Sequence, residues 1–241
     1  MPLIRGAAFV VAAVTLAVVW FGSLPAMASH GFAAHMMMHM AVVAVAAPLL
    51  ALSIAGSHLD PVRQVPHVLA PVPISVIELV VVWAWHAPAL HEGARHHPLA
   101  FALEQASFLA AGALLWLAAI GGDREERRSR AGGGVAALLL TSMHMTLLGA
   151  LFALASRPLF EYAGSTDTQS AVADQQLGGV IMLIVGGAVY LAGGLALTSV
   201  ALRPGRPLVM RTANGSARDF PAEPLPHTPS EPHSRPRDRS A

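Results

Sequence analysis

The chain contains no cysteine and no lysine. Without cysteine there is no disulfide frame and no thiolate metal site. Any metal must therefore be held by histidine, methionine, carboxylate or amide groups. Without lysine, all fifteen basic residues are arginine. Charge is scarce too: Asp, Glu and Arg make up 12% of the 241 residues, about half the roughly 25% of a soluble domain. The arginines fall in loops and in the C-terminal tail without interleaved aromatics, which excludes a nucleic-acid interface. There is no Gly-x-Ser-x-Gly elbow and no His-Glu-x-x-His helix, so an enzyme of either hydrolase type is not expected.

What remains is apolar. Hydrophobic residues make up 54% of the chain, and the mean hydropathy is +0.56. A bilayer crossing needs about 20 apolar residues, and six runs meet that length, near 6–24, 35–55, 70–90, 98–120, 132–156 and 177–202. They predict an all-α membrane protein, a bundle of six transmembrane helices. The first run, within 1–28, also reads as a secretory signal, because Arg5 precedes it and Ala26-Met27-Ala28 follows. Cleavage there would leave five helices; a retained helix is the favoured reading. With the N-terminus cytoplasmic, thirteen arginines lie inside and only Arg95 and Arg157 outside. The excess of positive charge inside then places both termini in the cytoplasm. Residues 29–202 form the polytopic domain. The tail 203–241 is rich in Pro, Arg and Ser and is expected to be disordered.

The histidines are unevenly placed. His35-Met36-Met37-Met38-His39-Met40 opens the second helix at its outer end. His35 and His39 are one turn apart on the same face, and Met38 lies beside both. Imidazole with thioether is a ligand set that suits Cu(I). His86 ends the third helix, and Asp174-Gln175-Gln176 opens the sixth from the same side. His144 lies deepest, near the middle of the fifth helix, where an ionisable group is rare and faces the protein interior. The expected metal site is His35, His39 and Met38, completed by His86, His144 and Asp174, with Met182 a further candidate. Asp174 is expected to orient a histidine rather than bind a soft metal directly. Glu78 falls at a depth similar to His144 and is expected to pair with it. Glu104 lies on the side of the His-Met cluster as a candidate ligand or proton acceptor. His91, His96 and His97 read as a solvated outer loop, with His97 capping the fourth helix.

Several segments together resemble the polytopic membrane family of cytochrome c oxidase assembly factors known as CtaG. They are Phe32 to Met40, Ala46-Ala47-Pro48-Leu49-Leu50, Trp85-His86-Ala87-Pro88, Glu104 to Leu109 with Trp116, Arg157 to Ala163, and Asp174 to Met182. The run Asp174-Gln175-Gln176-Leu177-Gly178-Gly179 is the most specific. Two features depart from the usual pattern. Gln105 stands where members often carry a second histidine, and fuller members have a further span. An unrelated single-span copper chaperone shares the name but uses cysteine ligands, which this chain lacks. The resemblance implies a multi-pass protein of the bacterial plasma membrane that helps mature a haem-copper oxidase, at the copper-loading stage. Its implied partners are oxidase subunits, periplasmic copper chaperones and membrane lipids. Two alternatives from other classes stay open on the residues alone. One is a membrane b-type cytochrome with haem between His39 and His86, or between His144 and one of them. The other is a copper transporter for resistance.

Overall fold

The computed structural model describes residues 2–123, 127–160, 162, 165 and 167–202. Arg124 and the tail 203–241, expected to be disordered, lie outside them. The described residues are helical, with no strand among them. Helix α1 (Pro2–Phe21) and the short α2 (Leu24–Ala28) lead into α3 (Phe32–Met40). A π-helical turn (Ala41–Ala46) joins α3 to α4 (Ala47–Ile54). There follow α5 (Pro61–Gln64), α6 (Pro71–Trp85), α7 (Pro88–His96), α8 (Pro98–Ile120), α9 (Arg127–Ala153) and α10 (Thr168–Ala201).

Five stretches are long and apolar enough to cross a membrane: α1, α3 to α4, α8, α9 and α10. The third expected span is different. Helix α6 has 15 residues, about 22 Å at 1.5 Å per residue, against a hydrocarbon core of about 30 Å. It breaks at His86-Ala87, and α7 leaves at 70° to it. Pro88 disfavours a helical residue before it, and Ala87 is extended at φ −67 and ψ 133. Six crossings result only if this bent pair counts as one. The segment expected to be a solvated loop is thus largely helix α7, with Pro88 in its first turn.

The sixth helix also begins earlier than the apolar run suggested, at Thr168. Its first nine residues are mostly polar or small and carry no hydropathy signal. They are helical because Asp167 and Ser170 form a reciprocal cap: Asp167 Oδ1 accepts from the Ser170 amide at 2.8 Å, and Ser170 Oγ accepts from the Asp167 amide at 3.2 Å. The π turn has a comparable local cause. Pro48 has no amide to give Ala44, and its ring would crowd that carbonyl in a regular α ladder, so the widened turn relieves it.

The helices alternate in direction and give the bundle a histidine-rich end and an arginine-rich end. At the arginine-rich end, Arg5 donates to the Ala55 carbonyl, fixing α1 to the end of α4. Arg130 donates to the carbonyls of Pro66 (3.1 Å) and Leu69 (2.9 Å), fixing α9 to the approach of α6. Asp60 is fully buried and accepts from the amides of Gly56 (2.6 Å), Val62 (2.9 Å) and Gly122 (2.8 Å). Asp60→Ala would leave those donors unpaired, and each unpaired buried donor costs about 1–3 kcal/mol. The expected result is a clearly lower thermal midpoint in detergent, with metal binding at the opposite end unchanged.

Candidate metal centre

At the histidine-rich end, α3, α8 and the α6–α7 break meet. Helix α3 brings His35 and His39, one turn apart and both buried, with their rings 4.3 Å apart and perpendicular. Helix α8 brings Glu104, also fully buried. Glu104 Oε1 lies 3.3 Å from His35 Nε2 and 3.5 Å from His39 Nε2. One ligand atom from each of the three lies within 4.8 Å of the others. Two donors about 2.0–2.1 Å from a tetrahedral ion are separated by about 3.3 Å, so both histidine–Glu104 spacings suit an ion, and the His35 spacing also a hydrogen bond.

Two further imidazoles flank this trio. His86 lies at the break, with its ring 5.8 Å from that of His39. Its Nδ1 is 2.7 Å from the Val82 carbonyl, which only accepts, so Nδ1 carries the hydrogen. In the neutral ring Nε2 then holds a lone pair; it is buried and has no protein partner. A histidine fixed by a backbone carbonyl with its other nitrogen free is the usual arrangement of a metal ligand. His91 lies with its ring 4.8 Å from that of His35. It is fully buried, contrary to the solvated loop expected for it, because α7 folds back over the site. Its Nε2 is 2.6 Å from the Tyr162 hydroxyl, and Arg95 sits 3.9 Å over the Tyr162 ring. Burial pushes the Tyr162 phenol up from its ordinary range, so the hydroxyl keeps its proton. Helix signals in the sequence could have revealed α7, though not the burial of His91: Pro88 at the start and the Glu92–Arg95 and Glu92–His96 pairs at helical spacing.

Gln105, the departure from the family pattern, takes part without being a ligand. The Trp20 indole donates to its Oε1 at 3.3 Å, which turns its Nε2 towards His39 Nδ1, also at 3.3 Å. With Nδ1 accepting, the neutral His39 ring carries its hydrogen on Nε2, facing Glu104. Helix α1 thereby sets the tautomer of a ring on α3.

Two expected site residues, His144 and Asp174, find their partners elsewhere. His144 is not in the cluster. It sits nine residues before Ala153, about 14 Å down α9, and its Nε2 is 2.8 Å from Glu78 Oε2, the expected pairing. Among the described residues Asp174 makes no hydrogen bond to a histidine. Because α10 starts two turns earlier, its carboxylate faces the start of α3 and accepts from the amides of Phe32 (2.6 Å) and Ala33 (3.4 Å). It acts as a charged cap at a helix N-terminus. Met38 is buried on the same helix as His35 and His39. His97 precedes α8 but makes no side-chain cap.

The whole Asp-Gln-Gln run shares this anchoring role. Gln175 Oε1 accepts from the Leu159 amide at 2.7 Å, and Gln176 Nε2 donates to the Ala155 carbonyl at 3.0 Å. Together the three side chains tie α10 to α3 and to the segment after α9. Asp174→Ala is expected to cost about 0.5–2 kcal/mol through the lost cap. Asp174→Asn, which keeps an acceptor oxygen, should cost less. Thermal midpoints and metal titration of the two variants check this order, with metal affinity falling in parallel with stability.

Comparison with known proteins now bears on this geometry. The family model described as cytochrome c oxidase caa3 assembly factor (Caa3_CtaG) matches residues 1–203. The chain belongs to that family. The match spans every described helix, including α1 and both sides of the histidine cluster. No curated protein and no solved structure matches the chain. This Caa3_CtaG member is therefore a multi-pass helical membrane protein of an oxidase-assembly family.

Proposed function

We propose that this protein binds copper at His35, His39 and Glu104 and assists its insertion into a haem-copper oxidase. The observation that supports this best is the convergence of a carboxylate and two imidazoles on one buried point. His86 Nε2 and His91 Nδ1, both buried without a protein partner, would complete the coordination or receive the ion in turn. Imidazole suits copper in either oxidation state, and the Met38 thioether would favour Cu(I). With the arginine-rich end in the cytoplasm of a bacterial plasma membrane, the centre lies towards the periplasmic side. Copper chaperones there could supply it, and oxidase subunits could accept from it.

Metal entry needs a lone pair on each ligating nitrogen, so His39 would bind through Nε2 with its ring hydrogen moved to Nδ1 and the Gln105 amide turned away. A haem reading gains no support from the packing. Phe108 lies against both candidate axial rings, 4.4 Å from His39 and 6.0 Å from His86. The purified protein is expected to show no Soret band.

A deletion strain tests the proposal. Its oxidase should be inactive and short of copper, with activity partly restored by copper added to the medium. Oxidase that is inactive yet fully loaded with copper would contradict a copper role while leaving a scaffolding role in assembly.

A further inference from the structure

A second polar cluster lies deeper in the bundle and takes no part in the proposed copper chemistry. Glu78 is eight residues before His86, about 12 Å further along α6. His144 and Thr141 reach it from α9: His144 Nε2 lies 2.8 Å from Glu78 Oε2, and the Thr141 hydroxyl donates to the same oxygen at 3.4 Å. Tyr190 faces this side from α10. The Cβ of Met145 lies 3.7 Å from where Gly186 would carry one. One turn on from that contact, α10 presents Tyr190 and the antiparallel α9 presents Thr141. Tyr190 is fully buried. Trp116 of α8 closes the cluster by stacking on Tyr190, with centroids 5.8 Å apart at 15°.

The informative feature is what these side chains leave over. Glu78 Oε1, His144 Nδ1, the Tyr190 hydroxyl and Trp116 Nε1 are all buried without a protein partner. Roughly nine in ten buried polar atoms are paired; two of these four belong to the Glu78–His144 pair and two to the stacked Tyr190 and Trp116 on the adjoining helices, and one occupant between them would account for all four. The donor set selects its chemistry. The Trp116 N–H only donates, which a cation cannot satisfy. A carboxylate oxygen accepts, which an anion cannot satisfy. Water does both, and a buried water typically makes about three hydrogen bonds.

We propose that Glu78, His144 and Tyr190 line an internal water-binding site within the membrane-spanning bundle, which keeps the Glu78–His144 pair hydrated and in exchange with solvent. Intramembrane carboxylate and imidazole groups then share an exchangeable proton with that water, while the surrounding helices remain apolar.

Water-edited solid-state NMR of the labelled full-length protein in lipid bilayers tests this. Polarisation from water should reach the Glu78 carboxyl carbon, the His144 ring and the Tyr190 ring. The buffer-facing His96, 64% exposed, serves as the positive control. In the double variant Glu78→Leu/His144→Leu, transfer to Tyr190 should be lost; replacing a buried pair with apolar side chains of similar volume is often tolerated. Absence of transfer to all three wild-type side chains while His96 responds would overturn the site. Undiminished transfer to Tyr190 in the double variant would overturn it equally. The wild-type measurement stands by itself if the variant does not fold.

Discussion

Replacing His35 and His39 together with alanine is expected to remove stoichiometric copper from the purified protein and to leave the oxidase of a complemented deletion strain short of copper. The two rings supply two of the three converging ligand atoms, so no partial site of the same geometry survives. Glu104→Gln should give the same loss by another route. It keeps the volume but replaces the shared carboxylate with an amide whose nitrogen only donates. Gln105→Ala is a graded control. It removes the amide that accepts from Trp20 and donates to His39 Nδ1 and Glu104 but leaves the three ligands in place, so a smaller loss of copper than in the other two variants is expected. Equal copper content in wild type and the double histidine variant would remove the copper reading and leave the cluster as a buried hydrogen-bond network.

A second large effect is expected at Gly179, where α9 and α10 are in backbone contact. A side chain there would overlap the Ala153 amide and come within 2.6 Å of the Gly149 carbonyl. Neither obstacle is a flexible side-chain end, so the two helices would have to separate. Overpacking of this kind typically costs about 1–3 kcal/mol, occasionally more, and a larger residue such as valine places Gly179→Val at the upper end. The expected result is loss of folded protein after detergent extraction. Gly178→Ala is milder in kind but closer to the metal, because its Cβ would overlap the Phe32 ring. That ring stacks on Phe160 at 5.0 Å and packs against His91 at 5.9 Å. Gly187→Ala faces open space and should be tolerated. Folding of Gly179→Val at wild-type yield would show that α9 and α10 do not depend on this close approach.

The apolar runs and the one-turn spacing of His35 and His39 carry most of the fold and the heart of the centre. The depths of Glu78 and His144 in their runs were enough to pair them. Glu104 was legible as a candidate because a carboxylate in an apolar run must find a partner. His91 was hidden because α7 is short and polar, and its burial comes from the bend at Pro88, which periodicity cannot anticipate. Asp174 was misplaced for a related reason. With the polar first turns of α10 unrecognised, its position relative to α3 could not be known, and a helix cap looked like a partner for histidine. His144 shares the general side of the cluster but lies at another depth, a distinction that hydropathy alone does not make.

The most direct test of the metal centre is X-ray absorption on the full-length protein loaded with copper and washed free of excess. The account predicts about one copper per chain, with a first shell of nitrogen and oxygen near the roughly 2.0 Å of imidazole and carboxylate ligands. It also predicts the outer-shell scattering of at least two imidazole rings, lost together with the copper in His35→Ala/His39→Ala. Absence of stoichiometric copper, or a first shell made of sulfur alone, would contradict it.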